Sequence, residues 1–190
     1  MQFIFFVETI VWSLIPFRQA GKKYFYFFYS IAFADPVTEL LRIQFHSTSN
    51  FMFIPSYFLA LISLQDRQYI KRYRIIITLM FIILVSVNLW GIKADSFILM
   101  SIINFLIFGT LIKDLMKQIL NDKSISLFLA VLVFDELLMV LKDIGIFSDL
   151  STGYFYTYIL IYSDFIIGVF FLIIKADNPR LTLKLALKNP

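Results

Sequence analysis

The sequence predicts an all-α polytopic membrane protein with seven transmembrane helices. The first observation is composition: 60% of the 190 residues are hydrophobic and only 16% are charged, with a mean hydropathy of +0.83. A soluble domain carries about 25% charged residues, and one core of this size could not bury so much apolar surface. The second observation is a series of seven apolar runs, and the third is the distribution of basic residues between them.

Each apolar run approaches the roughly 20 residues that a helix needs to cross a bilayer. The connections are short, and no soluble domain fits between the runs. We therefore expect residues 1–176 to form one seven-helix transmembrane domain, followed by a short cytoplasmic tail at 177–190. The predicted spans are residues 2–18, 24–45, 50–65, 74–92, 96–113, 124–142 and 153–175.

Basic residues predict the orientation because they concentrate in cytoplasmic loops. The loops after the first, third and fifth spans, together with the C-terminal tail, hold most of the 17 lysines and arginines. Arg42, Lys93 and Lys142 fall on the alternate side, one in each loop. This alternation predicts an outside N-terminus and a cytoplasmic C-terminus in the plasma membrane, which is the inner membrane of a bacterium.

Two spans share a local pattern that suggests an internal repeat. Each combines a phenylalanine, an aspartate and a Glu-Leu-Leu triplet, at residues 33–41 in the second span and 134–138 in the sixth. Each span follows a basic loop and precedes an aromatic-rich helix. The pattern suggests a 3+1+3 parallel pseudo-repeat, a plan known among membrane proteins.

Six acidic residues fall inside the predicted spans, where an ionisable side chain is costly and normally faces the bundle interior or a wet cavity. Two interpretations are open. The acids either join helices through hydrogen bonds, or they line an outward-facing polar pocket for a ligand, cation or proton. Their number and the similar depth of three of them favour the pocket. The candidate ligand-binding or proton-relay residues are Glu8, Asp35, Glu39, Arg42, Tyr57, Asp135, Glu136 and Asp164.

The segment AFADPVTELLR places three of these residues on one helical stripe. Asp35 and Glu39 are four residues apart, and Arg42 follows three residues later. Arg42 can pair with Glu39, which leaves Asp35 deeper in the span without a local partner. Pro36 removes a backbone hydrogen bond and favours a kink, so we predict a hinge at this position.

Several chemistries lack the residues they need. The chain has no cysteine and one histidine, His46, so no metal site is predicted. A retinal protein needs a lysine in the middle of its last span, and residues 154–174 contain none. The sequence contexts of intramembrane proteases are also missing. We therefore expect no enzymatic activity, no cofactor and no nucleic-acid partner.

Several stretches together resemble small bacterial seven-helix membrane sensor modules, which occur alone or fused to kinase and DNA-binding signalling domains. They are FRQAGKKYFYFFYSI, FADPVTELL, HSTSN, NFMFIPSYFLALISL and QDRQYIKRYR. The similarity covers about the first half of the chain by local pattern. The resemblance implies that the membrane part senses a ligand or a membrane state and passes a helix movement inward.

The leading functional hypothesis is a heptahelical sensor or receptor-like module with an outward-facing pocket. Because the 190 residues include no output domain, signalling implies a cytoplasmic partner protein in addition to the surrounding lipid bilayer. One alternative is a small proton- or cation-coupled transporter with the acids as a relay. Another is an accessory subunit whose acids pair with helices of a larger membrane complex.

Overall fold

The computed structural model describes residues 2–34, 36–38, 53–89, 93–147 and 154–184. Within these ranges the chain is mostly helical, with one short two-stranded ribbon. The helices are α1 (Gln2–Arg18), α2 (Phe25–Ala32), α3 (Phe53–Ser63), α4 (Arg67–Leu89), α5 (Lys93–Asn121), α6 (Leu127–Phe147) and α7 (Tyr154–Ile173). The strands are β1 (Ser124–Ser126) and β2 (Thr182–Lys184), and a 3₁₀ turn, Pro179–Leu181, precedes β2.

The prediction of seven transmembrane helices is wrong. Among the described residues, one helical segment, Phe97–Asn121 in α5, is long and apolar enough to cross a membrane. Helices α2 and α3 have 8 and 11 residues, which at 1.5 Å per residue is about half of a 30 Å hydrocarbon core. Helix α6 carries four charged residues, and α4 has four basic residues in its first two turns.

The predicted N-out/C-in orientation and the predicted 3+1+3 pseudo-repeat are no longer supported, because both predictions assumed seven spans. A helix does lie within or across each predicted segment, so the apolar runs located the helices correctly. They did not establish that each helix crosses a bilayer. The all-α prediction also missed the ribbon of β1 and β2.

The candidate span in α5 has 25 residues and a mean hydropathy of 1.8. Only 22% of its apolar 18-residue window is buried within the protein, and large apolar side chains such as Ile102 and Phe105 are exposed. A core helix of a soluble protein would bury such residues. Length, composition and exposure therefore all fit a helix that could cross a membrane.

Two helix boundaries differ from the sequence prediction for local reasons. Helix α4 begins at Arg67, inside the predicted basic loop, and bends at Tyr73, whose backbone is non-helical (φ −107°, ψ 15°). The bend lies where the basic first turns give way to the apolar remainder of the helix. Helix α2 stops at Ala32, whose carbonyl would need the N–H that Pro36 lacks.

Aromatic packing joins α1, α2, α6 and α7. The ring of Phe171 lies 5.0 Å from the rings of both Phe28 and Phe128. Trp12 covers this group, with its ring centre 6.4 Å from Phe28 and 6.3 Å from Phe171. Each such contact adds about 0.5–1.5 kcal/mol beyond area burial, so the cluster fixes Trp12 in place.

Gly168 permits the close approach of α7 to α1. A Cβ at this glycine would lie 3.1 Å from Trp12 Nε1 and 3.1 Å from Val11 Cγ1. A larger side chain would therefore push the two helices apart.

The predicted tail is anchored at its start. Asn178 Oδ1 accepts a hydrogen bond from the Arg180 N–H at 3.1 Å, and the following strand β2 pairs antiparallel with β1. The alternation of polar and apolar residues in Thr182-Leu183-Lys184 suits a strand better than a helix. The chain after α7 thus packs against the connection between α5 and α6.

Candidate functional site

A cavity of about 400 Å³ lies between α1, α2, α3, α6 and α7. Five sequence-predicted site residues line it, namely Glu8, Tyr57, Asp135, Glu136 and Asp164. They come from four helices that are separate in the sequence. The fold therefore brings these side chains to one place, while their function in ligand binding or proton relay stays a prediction.

Helix α6 supplies one wall of the cavity. Asp135, Met139 and Lys142 follow a spacing of four and three residues, which puts them on one stripe, and Glu136 lies beside that stripe. The same helix packs against α5 and α7. The buried residues Phe128, Leu129 and Leu132 hold this helix in the core, which keeps the charged stripe at the cavity.

Glu136 is the most buried acid in this wall, with 3% of its surface exposed. Its Oε2 atom meets no hydrogen-bond partner among the described residues. Asp135 is 5% exposed, and both carboxyl groups interact electrostatically with Asp164. Burying a polar atom without a partner costs about 1–3 kcal/mol, so the wall is arranged at the expense of stability.

The opposite wall is formed by α1 and α7. The carboxyl groups of Glu8 and Asp164 interact directly, and the Trp12 indole lies beside Asp164 without good hydrogen-bonding geometry. Lys142 acts on Asp164 through its charge. In the described part of the chain, Lys142 forms no salt bridge. Acidic groups therefore outnumber the basic group around the space.

Three predicted site residues, Asp35, Glu39 and Arg42, lie outside the described residues. Pro36 is described: it is half-buried within helical backbone that resumes after the turn at Phe33. Helix α2 ends at Ala32, four residues before Pro36, and the kink and hinge at Pro36 remain predictions.

Lys142 and Trp12 are two of the cavity-lining residues that were not predicted from the sequence. Lys142 was treated as a loop charge because it stood at the end of a predicted span. It lies seven residues after Asp135, two helical turns away, and this spacing could have placed it on the acidic stripe. Trp12 stands four residues after Glu8, on the same face of α1, and the same rule would have found it.

Asp143 has a different environment from the cavity acids. It is 8% exposed and accepts a hydrogen bond from Asn104 Nδ2 at 3.0 Å, which links α6 to α5. Asn104 is 2% exposed. This pair is interhelical hydrogen bonding of the kind that was the alternative interpretation for the other acids.

The cavity acids do not converge on one point. Among the described residues there is no group of three acids or histidines that could hold a metal ion. The acids share the wall with aromatic and apolar side chains, including Phe53, Tyr57 and Ile31. The arrangement suits an extended ligand with both polar and apolar parts more than a single ion.

A second, larger groove of about 930 Å³ begins where α1 ends. The ten residues from Glu8 to Arg18 span about 15 Å of helix, so the groove is separate from the cavity. It brings together three of the basic segments that the sequence analysis assigned to the cytoplasm. Its charged lining residues are Lys22, Lys23, Asp66, Arg67, Asp114, Lys117 and Asp122.

Ion pairs and a buried glutamine fix the helices around this groove. Lys23 Nζ contacts Asp114 Oδ2 at 2.6 Å. Burial is the largest single influence and lowers the pKa of Lys23, but the hydrogen bonds and charges of Asp114 and Tyr24 together outweigh it and raise that pKa. Lys22 donates to Asp177 and lowers the pKa of that exposed carboxyl. Gln19, which is 0% exposed, donates to backbone carbonyls at the end of α7.

Comparison with protein-family models, with curated proteins and with solved structures gives no match.

Proposed function

We propose that the protein is a membrane-bound sensor module that binds a small ligand in the acidic cavity and signals through a cytoplasmic partner. The observation that carries this proposal is Glu136: a carboxyl oxygen is buried without a partner, at the wall of a cavity shared with Asp135 and Asp164. Such an arrangement is destabilising in the empty protein. A ligand that contacts these groups would offset that cost.

The candidate span supports attachment to the plasma membrane through α5. Lys113, Lys117 and Lys123 cluster at its C-terminal end, and basic residues favour the cytoplasmic side. We place that end, and with it the groove, in the cytoplasm. The groove carries both acidic and basic residues, which suits the binding of a partner protein.

Helix α6 offers a physical connection between the acidic cavity and helix α5. It carries Asp135 and Glu136 on the cavity wall, and its Asp143 is hydrogen-bonded to Asn104 in α5. A ligand that shifts α6 changes this contact with the membrane-spanning helix. Ligand occupancy would then shift the population of two helix arrangements, which is the requirement for a sensor.

Affinity capture from cross-linked native membranes tests the proposal, with the Asp135→Asn/Glu136→Gln variant beside the wild type. We expect a cytoplasmic protein whose cross-linking yield changes in the variant, and no proton uptake in proteoliposomes that contain a pH-sensitive dye. Proton uptake that the variant abolishes would instead establish a transporter. A membrane partner captured equally by both chains would indicate an accessory subunit.

A further inference from the structure

We propose that the cavity takes a protonated organic amine carried on an apolar or aromatic body. This inference rests on the proposed ligand-binding function and adds the chemical class of the ligand. Three properties of the cavity lead to it: its charge, the spacing of its acids and the nature of its remaining walls.

The charge of the described lining is the first property. Asp135, Glu136 and Asp164 face the space together with Glu8, against one cation, Lys142. The Oε2 atom of Glu136 is buried at the wall and lacks a hydrogen-bond donor among the described residues. An ammonium group has up to three N–H donors and no acceptor, so it supplies both the charge and the donors that this wall lacks.

The spacing of the acids fits an organic cation better than a metal ion. Calcium requires about six to eight oxygen ligands at 2.3–2.6 Å, and magnesium requires a near-ideal octahedron. In the described ranges no three acidic side chains converge closely enough for such a site. Carboxyl groups distributed around a space of about 400 Å³ suit an organic cation, which brings its own volume.

The remaining walls provide surfaces for the body of the ligand. Trp12 and Tyr57 add aromatic side chains to the lining, and an aromatic ring attracts a cation within about 6 Å of its centre. Met139 adds a flexible side chain that adapts to irregular shapes. A recess of about 100 Å³, bounded by the same acids and by Leu138, Leu160 and Ile161, extends the space toward α7.

The matched probes are tyramine, an aromatic amine, and tyrosol, which carries a hydroxyl in place of the amine. Binding to the purified chain in nanodiscs is measured by isothermal titration calorimetry. We expect tyramine to bind at least about tenfold more tightly than tyrosol, because hydrogen bonds to charged groups are the stronger ones. Glu136→Gln should remove most of that difference.

A labelling experiment locates the binding without changing an acid. The chain has no cysteine, so Met139→Cys gives a single thiol in the cavity, and Met80→Cys on the exposed face of α4 is the matched control. Tyramine should slow maleimide labelling at position 139 by several-fold and leave position 80 unchanged. Tyrosol and Mg²⁺ should protect neither position.

Three results would overturn the amine site. They are equal affinity for the two probes, protection of position 139 by Mg²⁺ rather than by tyramine, and no binding of tyramine. The first leaves ligand binding in the cavity intact and removes only the amine. The proposed sensor function is judged separately, by the partner capture and the proton-uptake assay.

Discussion

Replacing Gln19 by leucine removes a buried side chain that joins the end of α1 to the end of α7. Its Nε2 donates to the carbonyls of Phe171 at 2.8 Å and Ile174 at 2.6 Å, and its Oε1 accepts from the Ala176 N–H at 3.1 Å. The carbonyls at a helix C-terminus have no partner within the helix. Gln19 thus completes the last turn of α7, and leucine keeps the volume while removing all three bonds.

The expected loss follows from the three backbone groups that the substitution leaves without partners. A buried group without its partner costs about 1–3 kcal/mol, and water reaching the helix end reduces the total toward the low end. We therefore expect a loss of about 3 kcal/mol. For a chain of this length each kcal/mol lowers the Tm by roughly 2–4 °C, so the Tm should fall by about 6–12 °C.

The assay is thermal unfolding in nanodiscs, followed by tryptophan fluorescence. Gln65→Leu is the matched control, because Gln65 is half-buried and makes one long bond of 3.4 Å to Leu61 O. It should lower the Tm by no more than about 2 °C. If the two leucine variants unfold at the same temperature, the hydrogen bonds of Gln19 do not hold α7 to α1.

Three further predictions test the helix packing and the cavity. Gly168→Ala should destabilise the protein by about 1–3 kcal/mol, because the added methyl group forces α1 and α7 apart. Gly109→Ala is the control: an added Cβ there meets nothing within 4 Å, so it should stabilise the protein by about 0.5–1 kcal/mol. Tm shifts of the same sign in the two variants would contradict this difference. Asn104→Leu should lower the free energy of unfolding by about 2 kcal/mol, because Asp143 loses its hydrogen-bond partner. Adding Asp143→Leu should recover part of that loss, and a double-mutant cycle measures how much. Additive losses would refute the coupling between the two residues. Glu136→Gln should raise the stability of the empty protein by about 0.5–2 kcal/mol while it weakens tyramine binding; a lower Tm would show that this carboxyl is structurally paired.

The sequence located the helices because the apolar runs are long and separated by short polar connections. It also selected Glu8, Tyr57, Asp135, Glu136 and Asp164, which the fold gathers around one cavity. An ionisable residue inside an apolar run is conspicuous, and it is retained only where the fold gives it a place. The residue types alone were enough to nominate these positions.

The number of spans could not be obtained in the same way. Hydropathy averaged over residues 24–45 hides the helix end at Ala32, and the average over 124–142 hides the charges of α6. The contacts of Gln19 were equally hidden, since they join residues 152 to 157 positions apart. Such pairings depend on how the helices pack, which no local pattern encodes.

Helix α6 provides an internal comparison between the two interpretations of the buried acids. Asp143 and Glu136 are both nearly fully buried and lie two turns apart on one helix. Asp143 has Asn104 as a partner on a neighbouring helix, as an acid that holds helices together should. Glu136 has an oxygen without such a partner among the described residues, and it borders a cavity. Because the same helix pairs one buried acid and leaves an oxygen of the other without a partner beside a ligand-sized cavity, the packing interpretation accounts for Asp143 but not for Glu136, on which the proposed binding site therefore depends.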